Sequence, residues 1–144
     1  MILCDTSAWV EHDRATGSRA DLRINALIAA GGPIAVTEPI VMEVLAAAVS
    51  SEREADLRRL LLRFSFIRFD PAADFDAAAW IYRRCRVQGI TPRGMVDCMI
   101  AAVALRSGAS LLAHDADLDR VAGVVGITMD RGSLRVDRER TRRD

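Results

Sequence analysis

A three-layer α/β fold, with helices on both faces of a central and mostly parallel sheet, is the architecture this sequence predicts. Two observations carry that expectation. Short apolar runs without alternation, at Ile2–Cys4, Pro33–Val36 and Ser110–Ala113, read as strands buried on both faces. Longer segments with helix start and stop signals lie between them, so strand and helix alternate along the chain. The 144 residues fit one domain with one core.

Taken in order, Ile2-Leu3-Cys4 is a strand ending at Asp5, and Thr6 or Ser7 caps a helix that runs to about Arg14. A second helix spans Ser18 to Ala30 and closes at Gly31-Gly32. After the strand Pro33–Val36, Thr37 or Glu38 precedes Pro39. Proline tolerates the first helical turn, so a helix carrying Glu43 starts there. Ser51-Glu52-Arg53-Glu54 has the capping-box form and opens a helix through Phe64. Ser65–Phe69 is a strand, Asp70-Pro71 opens a helix ending near Gly89, and Thr91–Gly94 is a loop. Met95–Ser107 is a helix stopped by Gly108. Then come the strand Ser110–Ala113, a short helix Asp115–Val121 and a last strand Val124–Thr128. The domain so read covers residues 1–130, leaving 131–144 as a strand end and basic tail.

Composition narrows the function classes. Hydrophobic residues make up 51% of the chain, enough for a normal core, yet charges break every apolar stretch well short of the roughly 20 residues a membrane span needs. The opening Met1-Ile2-Leu3-Cys4-Asp5 is too short and too acidic for a secretory signal, so a cytosolic location with no membrane partner is expected. Cys4, Cys85 and Cys98 are odd in number and widely spaced, which predicts buried thiols in place of disulfides or a zinc knot. All 20 basic residues are arginine and they balance 20 acids. Ala77–Val96 concentrates Arg83, Arg84, Arg86 and Arg93 without an acid, and the tail adds Arg135, Arg138, Arg140, Arg142 and Arg143. Arginine suits phosphate because its planar fork binds two oxygens at once.

Four acids stand apart from this background. Asp5 ends the first strand and Asp115 follows Leu111-Leu112-Ala113-His114. Both therefore fall at strand carboxyl ends, where open α/β sheets bind ligands. Asp97 is the one charge from Gly94 to Leu105, on a helix apolar all round and hence expected to be buried. Glu43 is likewise the only charge in Pro39–Val49. Each could be paired privately with an arginine. If they converge, two like charges about 4 Å apart repel by roughly 4 kcal/mol at an effective dielectric near 20. Such a cluster must raise its pKa values or hold a divalent cation, and all-oxygen ligands suit Mg²⁺ or Mn²⁺. The absence of lysine argues against two other acidic-pocket folds, the haloacid-type phosphatases and the response-regulator receivers.

The motifs resemble those of a known family. Cys4-Asp5-Thr6-Ser7-Ala8 is similar to the D-T-S/N opening of PIN domains. Glu38–Val44 resembles their second-acid helix, Gly94–Ala104 their third, and Leu111–Leu118 their fourth-acid segment. Order and spacing match from residue 2 to about 128, and length, the four-acid pattern and the H-D-x-D segment together look like VapC toxins. Leu118 stands where many members carry Phe, a packing change. The resemblance implies a PIN-like three-layer fold and Mg²⁺- or Mn²⁺-dependent RNA hydrolysis leaving a 5′ phosphate. It also implies a cognate VapB-like antitoxin and a homodimer. Carried over, Asp5, Glu43, Asp97 and Asp115 would be both the catalytic acids and the metal ligands. Thr6, Ser7 and Arg93 would face substrate, and Asp117 would be a spare acid behind the ligands. His114 is read as structural and His12 as a surface residue. A PIN-like module that binds RNA or a partner without cutting is the alternative, and loss of an acid would favour it. None is missing.

Overall fold

The computed structural model describes residues 1–135, and the structural statements below concern those residues. Four strands, β1 (Ile2–Cys4), β2 (Ile34–Val36), β3 (Ser65–Phe66) and β4 (Ser110–Leu112), form one parallel sheet in the order β3-β2-β1-β4. β1 and β2 are buried at every position, as helices on both faces require. Leu3 registers with Ala35 on one side and Leu111 on the other. The chain leaves β1 toward β2 and comes back to it with β4. The carboxyl ends of β1 and β4 therefore flank a topological switch point.

Seven helices sheathe the sheet: α1 (Thr6–Asp13), α2 (Arg19–Ala30), α3 (Glu38–Ala46), α4 (Ser51–Leu61), α5 (Pro71–Val87), α6 (Met95–Ser107) and α7 (Ala116–Val125). α1 packs on α2 and α3, and α3 on α4, while α5, α6 and α7 pack on one another. The expected α/β three-layer architecture is the one observed. No helix among the described residues is long and apolar enough to cross a membrane. Cys4, Cys85 and Cys98 are free and buried, as their spacing predicted.

Local details differ from expectation where two residues competed for one role. Asp5, not Thr6 or Ser7, caps α1, its carboxylate accepting from the Ser7 N–H at 3.0 Å. Ser50, not Ser51, caps α4 by accepting from the Arg53 N–H at 3.1 Å, and the helix stops at Leu61, short of Phe64. β3 shrinks to two exposed residues. The last strand read at Val124–Thr128 does not form. α7 continues through Val125 to Gly126, whose φ of 81° ends it, and only an isolated bridge joins Leu111 to Met129. The β-branched valines favour a strand weakly, whereas packing of α7 on α5 and α6 decides the outcome. α3 is also less buried than its composition predicted: Pro39, Ile40 and Val44 face the core, but Met42 is exposed. His12 is half-buried, not a surface residue. It lies 3.4 Å from Asp21 and edge-on to Trp9.

Residues 129–134 take the place of the missing strand. The Asp130 N–H donates to the Leu111 carbonyl at 2.6 Å and the Leu134 N–H to the Ala113 carbonyl at 2.9 Å. The buried Ser133 hydroxyl donates to the Leu111 carbonyl and accepts from the Ala113 N–H, both at 3.1 Å. Arg23 of α2 grips Asp130 with two hydrogen bonds of 3.0 and 3.1 Å. The rest of the basic tail, residues 136–144 with Arg138, Arg140, Arg142 and Arg143, lies outside the described residues. Gly132 sits against this joint, and a Cβ there would come within 2.5 Å of the Arg23 Cβ and Cγ. Gly132→Ala is therefore expected to cost ~1–3 kcal/mol by overpacking. Urea unfolding would read this, and an unchanged midpoint would mean that Arg23 yields freely.

Candidate active site

Each carboxylate reaches the switch point from a different element. Asp5 follows β1, anchored by its own N–H donating to the Leu112 carbonyl of β4 at 2.9 Å. Trp9, buried on α1, donates from Nε1 to the Cys4 carbonyl at 3.0 Å and packs on Phe64, fixing how the helix leaves the strand. Glu43 projects from α3 and Asp97 from the first turn of α6. Asp115 caps α7, accepting from the Asp117 N–H at 2.8 Å.

All four line one cavity of about 550 Å³, together with Thr6, Ser7, Glu11, Arg93 and His114. Every site residue expected from the sequence is thus brought to one place. His114, read as a structural residue beside the site, lines it, and Glu11 was not expected there. Glu11 sits one helical turn after Ser7 on α1, so the i, i+4 spacing from Ser7 was the signal available. Its carboxylate lies 3.1 Å from His114 Nε2. Arg83, Arg84 and Arg86 are exposed on α5 and do not line the cavity. Asp117 lies behind it, accepting the Arg93 N–H at 3.1 Å.

The hydroxyls expected to face substrate are bonded to the acids. Thr6 Oγ1 donates to Glu43 Oε1 at 2.7 Å and Ser7 Oγ to Asp5 Oδ2 at 2.6 Å. Ser7 Oγ also accepts from the His114 N–H at 2.9 Å, which ties the β1 exit to the β4 exit. Arg93 Nη2 donates to both oxygens of Asp115 at 2.7 Å. It is the only arginine paired with any of the four acids among the described residues. Asp97 has no hydrogen-bond or ion-pair partner there.

The electrostatics follow from this geometry. Burial pushes the Asp5 carboxyl up to about 6, the charges of Glu43 and Asp115 adding to the rise and the two Ser7 hydrogen bonds opposing it. Burial likewise lifts Asp97 to about 7, reinforced by the charges of Asp5, Asp115, Glu43 and Asp117. Asp5 Oδ1 is buried and accepts no hydrogen bond. A buried carboxylate oxygen without a donor is costly, and such an oxygen is compatible with a cation ligand.

The donor set is all oxygen and strongly anionic, which fits a hard divalent cation. As the side chains stand, no three Asp, Glu, His or Cys side chains among the described residues converge closely enough to chelate an ion.

An acid pocket at the switch point of a three-layer α/β fold defines a class, and comparison with known proteins agrees with it. The PIN domain family model matches residues 2–124, and the chain belongs to that family. Within it, the chain is 44% identical over 128 residues to ribonuclease VapC11 of Mycobacterium tuberculosis, covering 88% of this chain and 96% of that protein. Among solved structures it resembles VapBC2 from Rickettsia felis bound to promoter DNA, with a TM-score of 0.69 and 16% identity over 95% of this chain and all of that one. It also resembles VapC20 of Mycobacterium tuberculosis, a sarcin–ricin loop cleaving toxin, with a TM-score of 0.68 and 18% identity over 91% of this chain and 99% of that one. The PIN-like fold read from the sequence is thus the fold observed.

The raised carboxyls carry a stability signature. Asp5 and Asp97 titrate near 6 and 7 in the fold but near 4 when unfolded, so the folded chain holds more protons in between. Their contribution is complete below about pH 4 and is lost as pH rises to about 7. Metal-free protein should therefore melt lower at pH 8 than at pH 5. Asp97→Asn should flatten that fall, raising the pH 8 melting temperature by roughly 3–8 °C. Parallel melting curves for the two proteins across this range would refute the coupling.

Proposed function

We propose that the chain is a divalent-metal-dependent endoribonuclease, the toxin of a VapBC-type pair, hydrolysing RNA phosphodiesters at the four-carboxylate pocket. The observation that carries this reading is Asp97, partly buried without an arginine or hydrogen-bond donor and surrounded by other acids. Four private ion pairs would have meant a structural role. The pocket instead concentrates negative charge that a cation would relieve. VapC11 and VapC20, ribonuclease and cleaving toxin by name, support the activity. The VapBC complexes support an antitoxin as partner.

In this reading Asp5, Glu43, Asp97 and Asp115 would hold Mg²⁺ or Mn²⁺, and the orphaned Asp5 Oδ1 fits that role. A bound divalent ion would supply Lewis-acid polarisation of the phosphate and a water of lowered pKa. The chain's own residues do the rest. Ser7 and Thr6 hold the Asp5 and Glu43 carboxylates by their hydroxyls, so rotamer freedom is removed before substrate arrives. Arg93, which lines the pocket, would take a phosphate oxygen pair with its fork when not held by Asp115.

Asp97→Asn should lower RNA cleavage in Mn²⁺ or Mg²⁺ by at least ~100-fold, the loss expected when one electrostatic group is taken from the reacting centre. Cleavage would be followed on several structured RNAs. Retention of activity by Asp97→Asn would place the cutting outside this pocket, whereas no cleavage by the unaltered chain under either metal would favour a module that binds without cutting. Independently, millimolar Mn²⁺ should raise the melting temperature by ~5 °C, since a ligand held only by the fold stabilises it. Asp5→Asn with Asp97→Asn should abolish that rise. An equal rise in the double variant would place the ion elsewhere.

A further inference from the structure

The acid pocket already contains a cation of its own. Arg93 lies in the loop between α5 and α6 and is 70% exposed, while the Asp115 carboxylate that it grips is 15% exposed. The guanidinium therefore reaches in from solvent and closes over a mostly covered carboxylate. Asp115 Oδ1 accepts from both Arg93 Nη2 at 2.7 Å and the Asp117 N–H at 2.8 Å, so its two lone pairs are used. Oδ2 is also taken by Nη2, at 2.7 Å. A doubly charged ion brought to these oxygens would meet a positive charge within a few ångströms, screened in part by solvent on the arginine side. Of the four acids, this is the one whose oxygens are occupied by a charged group.

Space for the arginine to leave is present. A second cavity of about 520 Å³ adjoins the first and shares Ser7, Arg93, His114 and Asp115 with it, and Arg120 lies at its wall. We propose that Arg93 is a resident counter-ion that competes with divalent metal for Asp115, so that the pocket takes up metal only as the guanidinium withdraws toward the adjoining cavity. This rests on the metal reading given above and adds a device within the chain that sets metal affinity. The ion pair is exposed on the arginine side, and such pairs are weak, so the competition tunes affinity without blocking it.

Calorimetric titration of the full chain with Mn²⁺ tests this without recourse to activity. Arg93→Gln should bind Mn²⁺ ~3–10-fold tighter than the unaltered chain, the factor expected of one exposed surface pair. Arg120→Gln removes the same charge from the adjoining cavity without touching Asp115 and should stay within about twofold. In an Asp115→Asn background the gain from Arg93→Gln should disappear, because nothing is left to compete for. Equal or weaker binding by Arg93→Gln would overturn the proposal. So would a gain of the same size from Arg120→Gln, or one that survives in Asp115→Asn, since either would mean a general field effect. Should no protein in the series bind Mn²⁺, the metal reading itself falls, which is a separate result from equal binding by Arg93→Gln and the unaltered chain.

Discussion

Negative charge that the fold cannot neutralise governs this molecule. Asp5 is buried at the end of the central strand, and one of its oxygens is left without a donor. Asp97 sits opposite on a helix whose other faces are apolar, with acids as its electrostatic neighbours. Removing carboxylates from water and crowding them both disfavour ionisation, and here the two effects act together. A protein gains no stability from such an arrangement. Where stability is spent locally in this way, a functional site is the expected cause.

The scaffold answers that cost with contacts that fix the two strand ends. Ser7 joins the Asp5 carboxylate to the backbone at His114, so the exits of β1 and β4 are held at one separation. Trp9 clamps α1 to the Cys4 carbonyl. Behind β4, the segment 129–134 completes the hydrogen bonding of Leu111 and Ala113 and is itself held by the Arg23–Asp130 pair. These parts lie on different elements, yet all act on the two strand ends that carry Asp5 and Asp115. The arginine contact inside the cavity, Arg93 on Asp115, comes from a loop and is mostly in water on the arginine side.

Much of this was legible in the residues. Ile2-Leu3-Cys4 and Leu111-Leu112 could only be strands covered on both faces, because runs that short and that apolar cannot face water. Asp97 and Glu43 announced themselves as lone charges among apolar neighbours. What misled was local competition. Ser50 against Ser51, and Asp5 against Thr6 and Ser7, are equally good caps by type, so only the path of the chain selects between them. Val124 and Val125 satisfy a strand or the buried face of a helix, and the neighbouring helices chose the latter.

The primary chain alone therefore determined the layer architecture, the identity of the four acids and the thiol state of the cysteines, since each follows from polarity patterns that hold wherever the elements pack. Their convergence on one cavity, the inclusion of Glu11, the use of Thr6 and Ser7 as supports for carboxylates and the placement of Arg93 on Asp115 were decided by tertiary structure. These depend on distances between residues far apart in sequence. Such distances are set by parallel register and helix packing, which no local pattern encodes.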